Sequence, residues 1–312
     1  MANELVLISG TAHPAMGQRI AECLNTKLLD VEIGRFSDGD INIKILENIR
    51  GTDVFIIQPT MPPAENLMEL LLMMDAVRRA SCRRVTAVVP YFGYARQDRK
   101  DQPRVPIGAK LMADLITGAG ANRVLTIDLH APQIQGFFNI PLDHLYSAPV
   151  LLNHFKDYPR ENMVVLAPDA GSIKMARAFA KRLEVGLAII DKRRPRPNEA
   201  VVMNFIGEVE GKDVIIFDDM IDTAGTLTDA ARVCMEHEKA LSVTACCTHP
   251  ILSGESLDRL NNSPIKEVVV SNTIPFDRFE ICPKIRVLDM APLLADAIER
   301  IHLEKTVSAL FV

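Results

Sequence analysis

The chain has 312 residues, which suits two domains of ordinary size, and 48% of them are hydrophobic, enough for substantial cores. A formal net charge of −5 argues against nucleic acid as a main partner. The opening Met-Ala-Asn-Glu has no basic region and no long apolar segment, so neither a signal peptide nor a membrane span is expected, and the 6 cysteines, without metal or disulfide spacing, read as reduced residues of a cytoplasmic protein.

In chain order, Leu5 to Ile8 reads as a strand, followed by a loop with Gly10, His13 and Pro14 and a helix to about Leu24. Leu29 to Ile33 is a second short strand. Gly34 to Asp40 is a polar loop holding a single aromatic, Phe36. Ile41, Ile43 and Ile45 then alternate with polar residues, the period of a strand with one polar face. Val54 to Ile57 is a strand, Ala64 to Ala80 a helix, and Val85 to Val89 a strand that leads into Pro90 to Lys100. Aromatics and cations interleave in that last segment. The mixture suits an adenine ring beside a polyphosphate, and equally a solvated basic loop or an interface. Pro106 suits the first turn of a helix running to about Ile116. Val124 to Ile127 is a strand, and His130 lies just beyond it, where a hydrogen-bonded turn residue and a functional one are both at home.

The second half repeats the first. The segment from Glu4, ELVLISGTA, matches that from Met163, MVVLAPDAG; DVFIIQP from Asp53 matches DVIIFDD from Asp213; RVTAVVPY from Arg84 matches SVTACCTH from Ser242. This is a duplicated domain. The copies part at one place: the second has Asp218-Asp219 where the first has Gln58-Pro59. Asp169 stands at a strand end before Ala170-Gly171. The basic, proline-punctuated run from Lys192 to Glu199 leaves another strand end and reads as a lid. The final helix, from about Pro292 past Arg300, carries Leu293, Leu294, Ala297, Ile298 and Ile301 on one side.

The most informative stretch is GKDVIIFDDMIDTAGTLTDAARVCMEH, from Gly211 to His237. Val214 to Phe217 reads as a buried parallel strand. The acids Asp218, Asp219 and Asp222 follow, then Thr223, Ala224, Gly225 and Thr226, then a helix. Small residues let backbone N–H groups converge, Gly225 is expected to supply the conformational freedom of the turn, and the helix N-terminus favours an anion. A phosphate fits there. The acids would repel it and suit sugar hydroxyls or a divalent cation. Phosphate at one end and vicinal hydroxyls at the other describe a ribose 5-phosphate group.

This stretch resembles the phosphoribosyl-pyrophosphate motif of type I phosphoribosyltransferase folds, and its form resembles one branch, the ribose-phosphate diphosphokinases. The resemblance covers essentially the whole chain, through Phe36 to Asp40, Arg96 to Arg99, Lys192 to Arg194 and Asp218 to Thr226 in the right order. It implies an α/β protein of two tandem phosphoribosyltransferase-like domains, near 1–145 and 146–312, each a mainly parallel sheet flanked by helices. The first would serve nucleotide binding and assembly, the second the sugar phosphate and the lid. The implied reaction moves the diphosphate of ATP to the C1 hydroxyl of ribose 5-phosphate. The implied roles are catalysis for Lys192 and Arg194 (the latter also toward ribose 5-phosphate); ATP for Phe36, Asp38, Gly39, Asp40, Arg96 and Gln97; and ribose 5-phosphate for Asp218, Asp219, Asp222 and Thr223 to Thr226. Mg²⁺ falls to His130, directly or through water, and to Asp169. Two positions depart from the family's pattern: Asp40 stands where Glu is commoner, and Ser172 replaces the second Gly of Asp-Ala-Gly-Gly. The resemblance also implies homo-oligomers, hexamers built from dimers, with ADP and inorganic phosphate as effectors. The competing readings are a transferase that consumes phosphoribosyl pyrophosphate, which needs no Phe36 to Asp40 loop and no duplication; a non-catalytic synthetase-associated subunit, against which the Lys, the acids and the loop are all intact; and a ligand-sensing regulator, for which no DNA-binding segment is evident.

Overall fold

The computed structural model describes residues 4–193 and 202–310, the side chains at 192, 193 and 202–204 excepted. The chain divides into two compact units, the first comprising residues 1–146, 273–275 and 290–312 and the second residues 147–272 and 276–289.

In the first unit the chain runs β1 (Leu5–Ser9), α1 (Pro14–Cys23), β2 (Val31–Arg35), β3 (Ile41–Ile45), β4 (Asp53–Ile57), α2 (Glu65–Arg79), β5 (Arg84–Val89), α3 (Gly108–Ala119), β6 (Arg123–Ile127) and β7 (Leu142–Leu145). Five strands form a parallel sheet in the order β1-β4-β5-β6-β7. β4 is buried from end to end, as its β-branched and aromatic run requires when helices cover both faces. α2 buries Leu70, Met73, Met74 and Val77, a helical stripe. α3 stops at Gly120, whose φ of 110° only glycine adopts cheaply, and a Cβ there would overlap the Arg78 side chain. β2 and β3 form a separate antiparallel hairpin, while Leu28 makes a parallel bridge to Leu7.

The second unit runs α4 (Ala148–Phe155), β8 (Met163–Ala167), α5 (Ile173–Leu183), β9 (Gly186–Arg193), β10 (Val202–Ile206), β11 (Asp213–Ile221), α6 (Gly225–Arg232), β12 (Ser242–Pro250), α7 (Ser256–Asn261), β13 (Glu267–Ser271) and β14 (Ile285–Leu288). Its sheet has the order β10-β9-β8-β11-β12-β13-β14, parallel except for the β9–β10 hairpin. The run β8-β11-β12-β13-β14 repeats β1-β4-β5-β6-β7, so the internal repeat is a structural duplication. Register agrees between the next two strands: Asp53 pairs with Arg84 in one copy and Asp213 with Ser242 in the other.

One element differs from its expected extent and another from its expected place. β11 does not end at Phe217 but continues to Ile221, because β12 runs equally far and pairs Asp218 with Cys247, Met220 with His249 and Ile221 with Pro250. The acids Asp218 and Asp219 therefore belong to the strand. The last helix, α8 (Ala291–His302), lies with the first unit, beyond the boundary drawn between the sequence repeats, and packs on α1. Leu294, Ala297, Ile298 and Ile301 form its buried face. Its end is held by charge: the fully buried Asp53 accepts from Arg84 Nε at 2.8 Å and lies 2.9 Å from His302 Nδ1, while Arg84 Nη2 donates to the Ile301 carbonyl at 3.0 Å.

Candidate functional site

In the second unit, three features meet at the C-terminal ends of parallel strands, the edge on which open α/β sheets bind ligands. The first is the turn after β8. Asp169 Oδ1 accepts from the backbone N–H groups of Gly171 at 2.9 Å and Ser172 at 3.0 Å, and the Ser172 hydroxyl donates to the Asp169 carbonyl at 3.0 Å. Ser172 has φ −82° and ψ −11°, ordinary right-handed backbone, so serine in place of the family's more usual glycine costs the turn nothing.

The second is the acid pair on β11. Stacking of Phe217 on Phe179 of α5, with centroids 4.2 Å apart, seats the strand on the helix just before Asp218. Asp219 is buried, and its N–H donates to Asp218 Oδ1 at 2.9 Å. Burial first, then the charges of Asp219 and Asp169, push the Asp218 carboxyl well above the ordinary carboxylate range. Two carboxylates thus bear on the Asp218 carboxyl, a donor set that a divalent cation or a pair of sugar hydroxyls would relieve.

The third is the loop from Asp222 to Thr226 that opens α6. The left-handed residue is Ala224, at φ 60° and ψ 0°, and not Gly225, which is the first helical residue; a Cβ on Gly225 would meet only ordinary contacts. Gly225 therefore does not supply the turn's special backbone. The reversal falls one residue earlier, where strand direction gives way to helix, and holding a non-glycine residue there costs about 1–2 kcal/mol. The surroundings hold it. Thr228 donates through its hydroxyl to the carbonyls of Ala224 at 3.0 Å and Gly225 at 3.1 Å. Ser253 donates through its hydroxyl to Asp222 Oδ1 and through its N–H to the Asp222 carbonyl at 3.1 Å, and Arg259 Nη1 donates to the Thr223 carbonyl at 3.1 Å. Ala224, at the N-cap of α6, makes no side-chain cap bond, and no acid occupies the first turn of the helix. Its leading N–H groups and dipole thus suit an anion.

The first unit brings a different group together. A cavity of about 350 Å³ is lined by Arg96, Gln97, Asp98, Arg99, Asp101 and His130, with Val105 and Pro106. The expected nucleotide contacts Arg96 and Gln97 thus share one hollow with the expected metal position His130. Gln97 is held against Gly108, and Gln133 Nε2 donates to Asp98 Oδ2 at 2.8 Å. Phe36, Asp38, Gly39 and Asp40 are not in that lining. They form the tip of the β2–β3 hairpin, where Phe36 N–H donates to the Asp40 carbonyl at 2.9 Å, Asp40 N–H to Asp38 Oδ1 at 3.2 Å and Arg35 to the Gly39 carbonyl at 2.8 Å. Phe36 is 56% exposed there. Lys192 sits on β9, its backbone opposite Met203, its side chain outside the described set; Arg194 lies outside the described residues altogether. Asp169 belongs to the second unit and His130 to the first. Ser253 and Arg259 were not among the expected residues. They approach the loop only through the β12–α7 connection and α7 itself, and no local pattern marks them.

The chain is similar to known proteins along its length. A family model described as the N-terminal domain of ribose phosphate pyrophosphokinase matches residues 5–120, and one described as the phosphoribosyl synthetase-associated domain matches residues 191–312. A ribose-phosphate pyrophosphokinase of Caldanaerobacter subterraneus subsp. tengcongensis is 54% identical over 311 residues, spanning 99% of this chain and 98% of that protein. One of Chlorobaculum tepidum is 51% identical over 312 residues, 100% of this chain and 96% of its own. The crystal structure of phosphoribosylpyrophosphate synthetase from Mycobacterium smegmatis matches with a TM-score of 0.91 at 38% identity, over 96% of this chain and 99% of that one.

Proposed function

The chain belongs to the ribose-phosphate pyrophosphokinase family, and from that membership we propose that it transfers the β,γ-diphosphoryl group of ATP to the C1 hydroxyl of ribose 5-phosphate. The C1 oxygen forms a bond to the β-phosphorus, the bond from that phosphorus to the α,β-bridging oxygen breaks, AMP leaves and the hydroxyl proton passes to solvent. The observation that carries this reading is the strand end of β11, where the carboxyls of Asp218 and Asp219 adjoin a helix N-terminus whose N-cap residue, Ala224, makes no side-chain cap bond.

Each residue then has a task. Thr223, Ala224, Gly225 and Thr226 hold the 5-phosphate with backbone N–H groups and hydroxyls, Asp222 fixes the loop, and Asp218 and Asp219 accept from the ribose hydroxyls. Arg96 and Gln97 hold the nucleotide in the cavity of the first unit, and Phe36, Asp38, Gly39 and Asp40, outside that lining, reach a nucleotide across a subunit boundary from the hairpin tip. Lys192 and Arg194 bring positive charge to the transferring group. The like charges of Asp219 and Asp169 beside Asp218 fit an oxygen-ligated divalent cation in the second unit, and His130 in the first fits one through water, so we assign Mg²⁺ to Asp169 and, separately, to His130. When bound, that ion would neutralise phosphate charge. Positioning and charge neutralisation account for the rate.

The protein is further proposed to be a cytoplasmic homo-oligomer, hexamers built from dimers, with ADP and inorganic phosphate as effectors. In support, Met68 and Leu72 of α2 and Leu111 and Leu115 of α3 expose large apolar side chains on packed neighbouring helices. Among the described residues no helix is long and apolar enough to cross a membrane. The test of the activity is AMP release from ATP plus ribose 5-phosphate with Mg²⁺. Formation of AMP and phosphoribosyl pyrophosphate in equal amounts is expected. Consumption of phosphoribosyl pyrophosphate with a nucleobase, without AMP release, would make the protein a transferase of the other branch. Solution mass tests the assembly.

A further inference from the structure

We infer that Arg259 is a positioning residue for the sugar-phosphate loop, acting through the Thr223–Ala224 peptide; the inference rests on the proposed ribose 5-phosphate site. The motif itself ends at Thr226, and Arg259 reaches it from α7. Its Nη1 donates to the Thr223 carbonyl at 3.1 Å, and that nitrogen lies 3.6 Å from where a Cβ on Gly225 would stand. The guanidinium thus lies beside the small residues of the turn. Its other terminal nitrogen, Nη2, is 3.3 Å from Oε2 of Glu255, the N-cap residue of α7 one turn earlier, which fixes the direction of the fork.

One hydrogen bond has this reach because of peptide geometry. The Thr223 carbonyl and the Ala224 N–H belong to one planar trans unit, so they point in opposite directions. Drawing the carbonyl toward α7 turns the Ala224 N–H away from α7 and toward the hollow of the loop. Ala224 is left-handed, a conformation that alanine leaves readily when nothing holds it. Thr228 holds the carbonyl side of that residue, and Arg259 holds the peptide on its N-terminal side. Without the guanidinium, the Thr223–Ala224 peptide can rotate and the convergent N–H is lost. The positive charge adds attraction for an anion, weakened by Glu255 and by exposure. Arg259 is not placed in contact with the reacting atoms, so its influence should fall on ribose 5-phosphate binding and leave the chemistry of transfer alone.

The test uses the full chain and compares Arg259→Gln, Arg259→Lys and the wild type. Ribose 5-phosphate binding is read by calorimetry in the absence of ATP, and KM for each substrate and kcat by AMP release. Arg259→Gln is expected to weaken ribose 5-phosphate about tenfold in both Kd and KM, with kcat and the KM for ATP within about twofold. Arg259→Lys, which keeps a donor and a charge, should recover about half of the lost binding energy. Glu255→Ala should show the same pattern at about a twofold level, since the fork loses one anchor. An unchanged ribose 5-phosphate Kd in Arg259→Gln would overturn the inference while leaving the activity standing. So would equal losses for ATP and ribose 5-phosphate, or a fall in kcat accompanied by a lower unfolding midpoint, because either marks a general structural role. Failure of the wild type to release AMP is a separate result that bears on the activity, and the calorimetric comparison still decides the role of Arg259.

Discussion

The ends of β4 and β11 occupy the same place in the two copies of the fold, yet one is closed and the other open. At the end of β11, Asp218 and Asp219 adjoin Asp169, and burial with like charge drives Asp218 toward its neutral form. At the end of β4, Gln58 is fully buried and satisfied by its own surroundings. Its Nε2 donates to Glu69 Oε1 at 2.9 Å and to the Asn66 carbonyl at 3.1 Å, and its Oε1 accepts from Ala12 N–H at 3.1 Å. Glu69, from α2, also accepts from Thr11 N–H at 2.6 Å and from the Thr11 hydroxyl at 2.7 Å. A Cβ on Gly10 would come within 2.3 Å of Gln58 Oε1, so the turn is filled. The lesson is physical. The same crevice stays open when its polar groups strain against one another, and becomes core when a side chain from the next helix completes their hydrogen bonds.

The comparison can be broken most severely at the open end. Replacing Asp218 and Asp219 together by Asn should lower kcat/KM for ribose 5-phosphate by a factor on the order of 10³ or more, read by AMP release, since both charged hydroxyl acceptors become neutral amides and the charge that attracts a cation goes with them. A double variant with near-normal turnover would refute the assignment. At the closed end the expected cost is to stability. Glu69→Ala removes the bonds from Gln58 Nε2 and from the Thr11 N–H and hydroxyl while Gln58 keeps those to Asn66 and Ala12, and should lower unfolding free energy by about 1–2 kcal/mol in urea, with ribose 5-phosphate affinity unchanged.

A third prediction sharpens the contrast through pH. A carboxyl whose pKa is raised on folding binds its proton more tightly in the folded state. Its contribution to stability is therefore full at pH below the unfolded carboxylate pKa and is lost as pH rises through the folded value. In Mg²⁺-free buffer, Asp218→Asn should raise the unfolding midpoint by a few degrees at neutral pH. The gain should shrink as pH falls into the ordinary carboxylate range, whereas Gln58, already neutral, offers no such pH-dependent change. The smallest effect is expected at Ser172. Ser172→Gly removes one hydroxyl bond and adds backbone freedom, at a cost of no more than about 1–2 kcal/mol, and should leave the ribose 5-phosphate KM unchanged because Asp169 keeps both backbone donors.

Much of this was legible in the chain. The apolar runs of β4, β5, β11 and β12 and the parallel order of the repeats follow from burial on both faces of a parallel sheet, a one-dimensional signal. The acid pair and the loop were legible because their chemistry is contiguous. Three things were not. β11 extends through its acids because β12 offers partners that far, which is a property of the neighbour. Ala224, not Gly225, carries the left-handed turn, since the exact point of reversal depends on where strand pairing stops and helix begins. Arg259 and Ser253 meet the loop from a segment distant in sequence.

By itself the sequence determined the duplication, the parallel α/β class and which copy retains the sugar-phosphate motif, because periodicity and residue chemistry are local quantities. Tertiary structure alone decided that the last helix returns to the first unit through Asp53, Arg84 and His302, that Glu69 closes the relict crevice, and that Arg259 steadies the living one. Those outcomes depend on side chains distant in sequence completing one another's hydrogen bonds, and that pairing exists only once the chain is folded.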